Sequence, residues 1–160
     1  MRFANSPILW IIAGLLVAAA IYGLRAWLAL REVRADAGAD FAYRRDNSML
    51  GSDLPPDRFE DVYLSANYPR RQAYMAGTLL ALAVLTFPFL RIADLIWKGV
   101  WRLSGENRTF EPTFLVYQFG IFFSMIALWS LVGFVAARRY HKAEDLTLDE
   151  ALRREVGRSR

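Results

Sequence analysis

The chain has no cysteine and only one histidine, His141, among its 160 residues. Without thiols it cannot form disulfides, and it cannot hold a zinc ion or an iron–sulfur cluster through thiolates. A membrane haem is most often held by histidines, whereas His141 stands alone among basic residues at the end of an apolar run. These absences argue against a metal centre or a haem, and we expect no cofactor.

Catalytic patterns are missing as well. The sequence contains no HExxH metal motif, no glycine-rich phosphate loop and no Ser-His-Asp order in a recognisable context. Its apolar runs carry no carboxylate or lysine near their centres, and such groups usually mark proton relays and ion pathways. We therefore expect no catalytic residue and no metal ligand, and an ion pump or ion-coupled transporter is disfavoured.

What the sequence does contain is long apolar runs. The longest, residues 114–137, has no acidic residue, basic residue or histidine. A helix of that length reaches roughly 36 Å, enough to cross a hydrocarbon layer of ~30 Å. The run that begins near residue 7 exceeds the ~7–15-residue core of a signal peptide, so we expect it to be retained. The sequence predicts an all-α membrane protein with three transmembrane helices, at about residues 7–28, 72–90 and 113–137.

Short amphipathic helices are predicted outside these spans. The connection, residues 35–71, is rich in charge of both signs, and its Ala-Gly-Ala-Asp segment predicts that the first helix ends near Arg34. Within the connection, residues 57–66 predict a short helix with one apolar face. That face consists of Phe59, Val62, Tyr63 and Ala66.

The tail, residues 138–160, is predicted to contain another short helix at about residues 148–157. Thr147 and Glu150 have the spacing of a capping box, in which each residue satisfies a backbone N–H of the other at the start of a helix.

The segment after the second span, residues 91–103, allows two interpretations. Pro88 near the end of the span predicts a kink or a stop. Trp97 and Trp101 lie one turn apart beside regularly spaced basic residues. The favoured prediction is a separate interfacial helix that lies along the membrane surface. The alternative is a direct extension of the second span.

Basic residues favour one orientation of the chain. Most of the Arg and Lys residues lie in the connection and the tail, and fewer lie on the opposite side of the predicted membrane. The positive-inside rule therefore predicts a bacterial inner-membrane protein with its N-terminus outside and its C-terminus in the cytoplasm. This orientation explains the net charge of +4 better than nucleic-acid binding does, and we expect no nucleic-acid partner.

Aromatic and basic residues at the predicted span ends are expected to anchor the chain at the membrane interface. They are Trp27, Tyr68, Arg70, Arg71, Trp97, Trp101, Arg138, Arg139 and Tyr140.

Small residues recur four apart in every span. This spacing is typical of helix–helix packing in lipid, because small side chains allow two backbones to approach closely. The predicted packing pairs are Gly14 with Ala18, Ala19 with Gly23, Gly77 with Ala81, Gly120 with Ser124, and Gly133 with Ala137. Three spans can pack on one another with fewer such faces, so we interpret one face of the first span as a surface for a partner protein.

These patterns predict a non-catalytic accessory, assembly or scaffolding subunit of a larger inner-membrane complex of respiratory or photosynthetic type. Its expected partners are other membrane protein subunits and membrane lipids. One alternative is a lipid-interface membrane enzyme that uses Asp94. The other is a small homo-oligomeric channel or transporter, with a pore lined by Thr78, Gln118, Ser124 or Ser130.

Overall fold

The computed structural model describes residues 7–50, 54–143 and 146–158, and every regular element in these ranges is a helix. The elements are α1 (Pro7–Asp46), α2 (Pro56–Ala66), α3 (Arg70–Leu103), a one-turn 3₁₀ helix (Arg108–Phe110), α4 (Leu115–Lys142) and α5 (Leu148–Arg158).

Three of these segments are long and apolar enough to cross a membrane: α1, α3, and the segment Arg108–Lys142 that contains α4. The predicted fold class is confirmed, and the chain has the helix lengths and composition of an integral membrane protein. The helix of the third span, predicted from residue 113, is α4, which begins at Leu115.

The middle span, α3, is the centre of the arrangement. Both α1 and α4 pack on α3, whereas α1 and α4 make no direct contact in the described ranges. The α3–α4 pair is antiparallel: Tyr74 meets Tyr140 at one end, with 5.5 Å between ring centroids, and Trp97 meets Tyr117 at the other, with 5.8 Å. We call the line of contact between α3 and α4 the seam. Because a helix rises ~1.5 Å per residue, the seam is roughly 35 Å long, close to the thickness of the hydrocarbon layer.

The first helix is longer than predicted. It continues through the Ala-Gly-Ala-Asp segment to Asp46, so the expected end near Arg34 is wrong. A single glycine costs a helix only ~1 kcal/mol, and local contacts offset that cost. Ala37 is buried, and Asp40 accepts a 2.8 Å hydrogen bond from Arg44 one turn later. About a third of the predicted connection therefore belongs to α1.

The favoured interpretation of residues 91–103 is also wrong, because they are the last turns of α3 and not a separate interfacial helix. Pro88 lies inside a continuous helix. A proline costs ~3 kcal/mol in a helix interior, but unsatisfied backbone groups in lipid cost several kcal/mol each. Continuing the helix therefore loses less hydrogen bonding than ending it there.

A polar lobe forms at one end of the membrane helices, from residues 31–46 of α1 together with α2 and α5. Its centre is Phe59 of α2, which is 1% exposed and packs against the rings of Phe41 and Tyr63. Burial, followed by the negative charge of Asp40, raises the pKa of Tyr63, so its hydroxyl is neutral at physiological pH.

Ion pairs connect the three helices of the polar lobe. They join α1 to α2 through Arg34 and Glu60 at 3.4 Å, and α1 to α5 through Arg44 and Asp149 at 2.9 Å. A third pair, between Arg58 and Glu155 at 3.5 Å, joins α2 to α5. These exposed pairs contribute little energy each, but together they set the positions of α2 and α5 against α1.

Both short helices occur where the sequence predicts them. In α2, Phe59 is buried and the other apolar-face residues are half-buried, while Arg58, Asp61 and Ser65 are exposed. At the start of α5, the backbone N–H of Thr147 donates to the Glu150 carboxylate at 3.2 Å, and that of Glu150 donates to the Thr147 hydroxyl at 3.4 Å. This geometry confirms the predicted capping box.

Replacing Phe59 with alanine should loosen the polar lobe. Removing a buried phenylalanine typically costs about 3–5 kcal/mol, because the apolar contacts are lost and a cavity remains. Hydrogen exchange in mild detergent should therefore show faster exchange of the α2 amides. Tyr43→Ala is the control, since Tyr43 is 60% exposed on the same lobe. Equal α2 exchange in the two variants would contradict this account of the lobe.

Candidate functional site: open helix faces in the membrane

One end of the α3–α4 seam is tightly filled. The indole of Trp97 lies against Gly120, and a Cβ atom built on Gly120 would come within 2.7 Å of a ring carbon of Trp97. The Trp97 indole N–H donates to the backbone carbonyl of Phe110 at 2.9 Å, which holds the ring in place. Gly120 therefore allows close packing within this chain, and its stripe partner Ser124 donates to the Gly120 carbonyl.

Asp94 lies at the same end and has partners for both carboxylate oxygens. One oxygen accepts a 2.7 Å hydrogen bond from Lys98, and the other accepts a 2.9 Å hydrogen bond from the Tyr117 hydroxyl. Lys98 is one turn along α3 and Tyr117 is on α4, so Asp94 ties the two helices together. This arrangement gives Asp94 a structural role at the seam.

A polar contact also crosses the middle of the seam. Thr86 is 1% exposed, accepts a 3.0 Å hydrogen bond from the Trp129 indole and donates to the Leu82 carbonyl. Two other polar side chains of the spans bond to nearby backbone: the Thr78 hydroxyl donates to the Tyr74 carbonyl within α3, and the Gln118 amide donates to the carbonyl of Thr113, just before α4.

The two small-residue stripes of α1 face different surroundings. At 100° per residue they are centred about 140° apart on the helix. Ala19 is buried within the protein. Gly14 is exposed, and no atom of the described part of the chain lies within 4 Å of a Cβ built on it. Ala18, next to Gly14 on this face, is half-buried, and Gly23 also borders open space.

The remaining small residues lie where α3 and α4 separate. A Cβ atom added to Gly77 or to Gly133 would meet no neighbouring atom of the described residues within 4 Å. Gly77 and Ala81 line a groove on one side of the seam, and Gly133 and Ala137 line a smaller groove on the other side. These residues create space at the end of the seam that carries Tyr74 and Tyr140.

The predicted interface anchors fall into two groups. At the end of α3 and α4 near the polar lobe lie Arg70, Arg71, Arg138, Arg139 and Tyr140, with Tyr68 just before α3. We call this the basic end.

The tryptophans differ in their surroundings. Trp27 is half-exposed and has the Arg31 guanidinium 4.8 Å from its ring centroid. Trp97 is built into the seam. The indole nitrogen of Trp101 is buried and has no hydrogen-bond partner among the described residues.

Sequence reasoning missed the contacts that join α3 to α4. Thr86 and Trp129 look like ordinary span residues, and the close approach of Trp97 to Gly120 depends on α3 continuing past Pro88. The antiparallel register could have indicated both contacts. In every contacting pair along the seam, the two residue numbers add up to nearly the same value.

Acidic side chains and the single histidine are spread along the chain. Within residues 7–50, 54–143 and 146–158, no three His, Asp or Glu side chains lie close enough together to hold a metal ion.

Comparison with protein-family models, with curated proteins and with solved structures finds no match to this chain.

Gly120→Ala should weaken the seam, and Gly133→Ala should not. Both substitutions raise helix propensity by the same amount, about 1 kcal/mol. The difference in unfolding free energy between the two variants therefore reports the clash with Trp97 alone. Overpacking of this kind costs about 1–3 kcal/mol. The free energy of unfolding in mild detergent should be lower for Gly120→Ala than for Gly133→Ala by that amount. If Gly120→Ala is as stable as Gly133→Ala, the packing of Trp97 on Gly120 is not what holds the helices together.

Proposed function

We propose that this chain is a non-catalytic accessory subunit of a larger inner-membrane complex, and that it docks on its partner through the outer face of α1. The observation that carries this proposal is the open surface around Gly14. It also rests on the absence of catalytic patterns from the sequence.

The position of α1 in the bundle supports docking. It packs on α3 but not on α4, so much of its membrane surface meets no other helix of the described chain. Trp10, Val17 and Leu24 are 72%, 60% and 57% exposed and share one side of the helix with Gly14. Lipid would cover such a surface equally well, but a glycine within it allows the backbone of a second helix to approach closely.

The polar lobe supports docking in a second way. Its ion pairs and the packing of Phe59 hold the far end of α1 against α2 and α5. A helix that is fixed outside the membrane loses less conformational freedom when it binds a partner, and this preorganisation favours affinity. The complex we propose is of respiratory or photosynthetic type, and the chain would act there in assembly or as a scaffold.

The alternatives have less support. A channel needs polar groups that face a pore, and Thr78, Gln118 and Ser124 are hydrogen-bonded to backbone carbonyls of their own chain. An enzyme that uses Asp94 needs a free carboxylate, and both oxygens of Asp94 accept hydrogen bonds from neighbouring side chains.

For localisation we propose the bacterial inner membrane, with the N-terminus outside and the polar lobe in the cytoplasm. The antiparallel seam brings the basic residues at the start of α3 and the end of α4 to the same end. At the opposite end, Lys98 is neutralised by Asp94. The difference in positive charge between the two ends therefore supports this orientation under the positive-inside rule.

Gly14→Leu should release the chain from its partner. A leucine prevents the close backbone approach, and the expected loss is on the order of 1–2 kcal/mol, about 5- to 30-fold in affinity. The measurement is recovery of partner subunits after affinity purification in mild detergent. Gly99→Leu is the matched control, because a Cβ on Gly99 also meets no atom of the described residues within 4 Å and Gly99 lies on α3, away from the outer face of α1. Unchanged recovery with Gly14→Leu, or homogeneous complexes of this chain alone, would refute the proposal.

The orientation can be tested with single cysteines, since the chain has no native thiol. Ser65 lies near the end of α2, shortly before α3 begins, and Ser104 directly follows the other end of α3; both are exposed. A membrane-impermeant maleimide applied to spheroplasts should label Ser104→Cys at once and Ser65→Cys only after the membrane is opened. The reverse pattern would invert the orientation, and immediate labelling of both would contradict the crossing by α3.

A further inference from the structure

A groove runs between α3 and α4 at the basic end. Its volume is about 660 Å³, and its walls are almost entirely apolar. On α3 the groove is lined by the small residues Gly77 and Ala81 and then by Leu85. On α4 its lining includes Leu131 and Val135.

The groove exists because the two ends of the seam are packed differently. At one end the Trp97 ring fills the space beside Gly120. At the basic end Tyr74 and Tyr140 meet edge to face, and the small residues beyond them leave the helices without side chains to fill the gap. A second groove of about 320 Å³, which Arg71 lines, lies on the other side of this contact.

The groove has the depth of one membrane leaflet. It extends along α3 from Ala73 to Leu85, which is roughly 18 Å of helix. Half of a hydrocarbon layer of ~30 Å is about 15 Å. The groove thus begins at the end of the spans and ends near the middle of the membrane, which is the reach of a single acyl chain.

A partner helix fits the groove less well. A helix that docks along a membrane span contacts it through both leaflets, whereas this groove stops midway.

The polar end of the groove carries positive charge. Arg139 lines it directly, beside the hydroxyl-bearing rings of Tyr68 and Tyr74. None of the ion pairs found in the described ranges involves Arg71 or Arg139. The first turn of α3 and the last turn of α4 contain no acidic residue. Basic pockets between membrane helices are typical sites for anionic lipid headgroups.

We propose that this groove binds one anionic phospholipid, with an acyl chain along Gly77 and Ala81 and the headgroup phosphate on Arg139. The walls supply apolar contact over one leaflet, and the guanidinium supplies hydrogen-bond donors to the phosphate oxygens. The site is separate from the outer face of α1, so it does not depend on the docking proposed above.

The test measures which lipids the purified full chain retains. Delipidated protein in mild detergent is incubated with phosphatidylglycerol or phosphatidylcholine of identical acyl chains, and bound lipid is counted by native mass spectrometry. The protein should retain one phosphatidylglycerol in preference to phosphatidylcholine. Arg139→Gln should reduce that preference about fivefold, the contribution of one basic residue near an anionic surface. Gly77→Leu should remove retention of both lipids by filling the groove.

Two matched controls separate these effects from general changes in the protein. Arg102→Gln removes a basic residue at the opposite end of α3, and Gly99→Leu adds a leucine where a Cβ also meets open space. Both should leave lipid retention unchanged. Equal retention of the two lipids by the unmodified chain would overturn the proposal, and so would unchanged binding in Gly77→Leu. Crosslinking of a Gly77→Cys chain to a second protein in native membranes would overturn it as well, because the groove would then hold a helix.

Discussion

The close approach of α3 and α4 is the contact on which the rest of the structure depends. At Gly120, α4 lacks a side chain, and the Trp97 ring of α3 occupies the space beside it. In lipid the hydrophobic effect does not drive helices together, so close packing and hydrogen bonds between helices must hold them. The seam has both kinds of contact. The same register that packs Trp97 on Gly120 also allows the hydrogen bonds of Tyr117 to Asp94 and of Trp129 to Thr86. With α3 positioned in this way, α1 packs on its remaining surface, and α4 leads the chain back to the polar lobe.

Much of this arrangement could be predicted from local sequence. Long apolar runs identify the spans because an unbroken helix satisfies its own backbone groups in lipid. The short helices were predictable for equally local reasons, since Phe59 begins an apolar face at helical spacing and Thr147 forms a capping box with Glu150. These features need no knowledge of which helix contacts which.

The wrong predictions relied on residues whose effect on a helix depends on their surroundings in the folded protein. Gly38 and Pro88 both indicate helix ends in water, and neither ends its helix here. Burial of Ala37 supports the first helix, and the cost of unsatisfied backbone groups in lipid supports the second. The small-residue stripes were ambiguous for the same reason. Gly120 meets a tryptophan of its own chain, while Gly14 meets no described residue, and the spacing of small residues is identical in the two cases.

The unbroken course of α1 has a mechanical consequence. About 45 Å of continuous helix separates Gly14 in the membrane from Arg44 in the polar lobe. A change in bilayer thickness that tilts α1 by about 10° would swing Arg44 sideways by roughly 8 Å, carrying α2 and α5 with it. Because α1 is unbroken, a small change of its angle in the lipid would reach the polar lobe as a larger displacement in water.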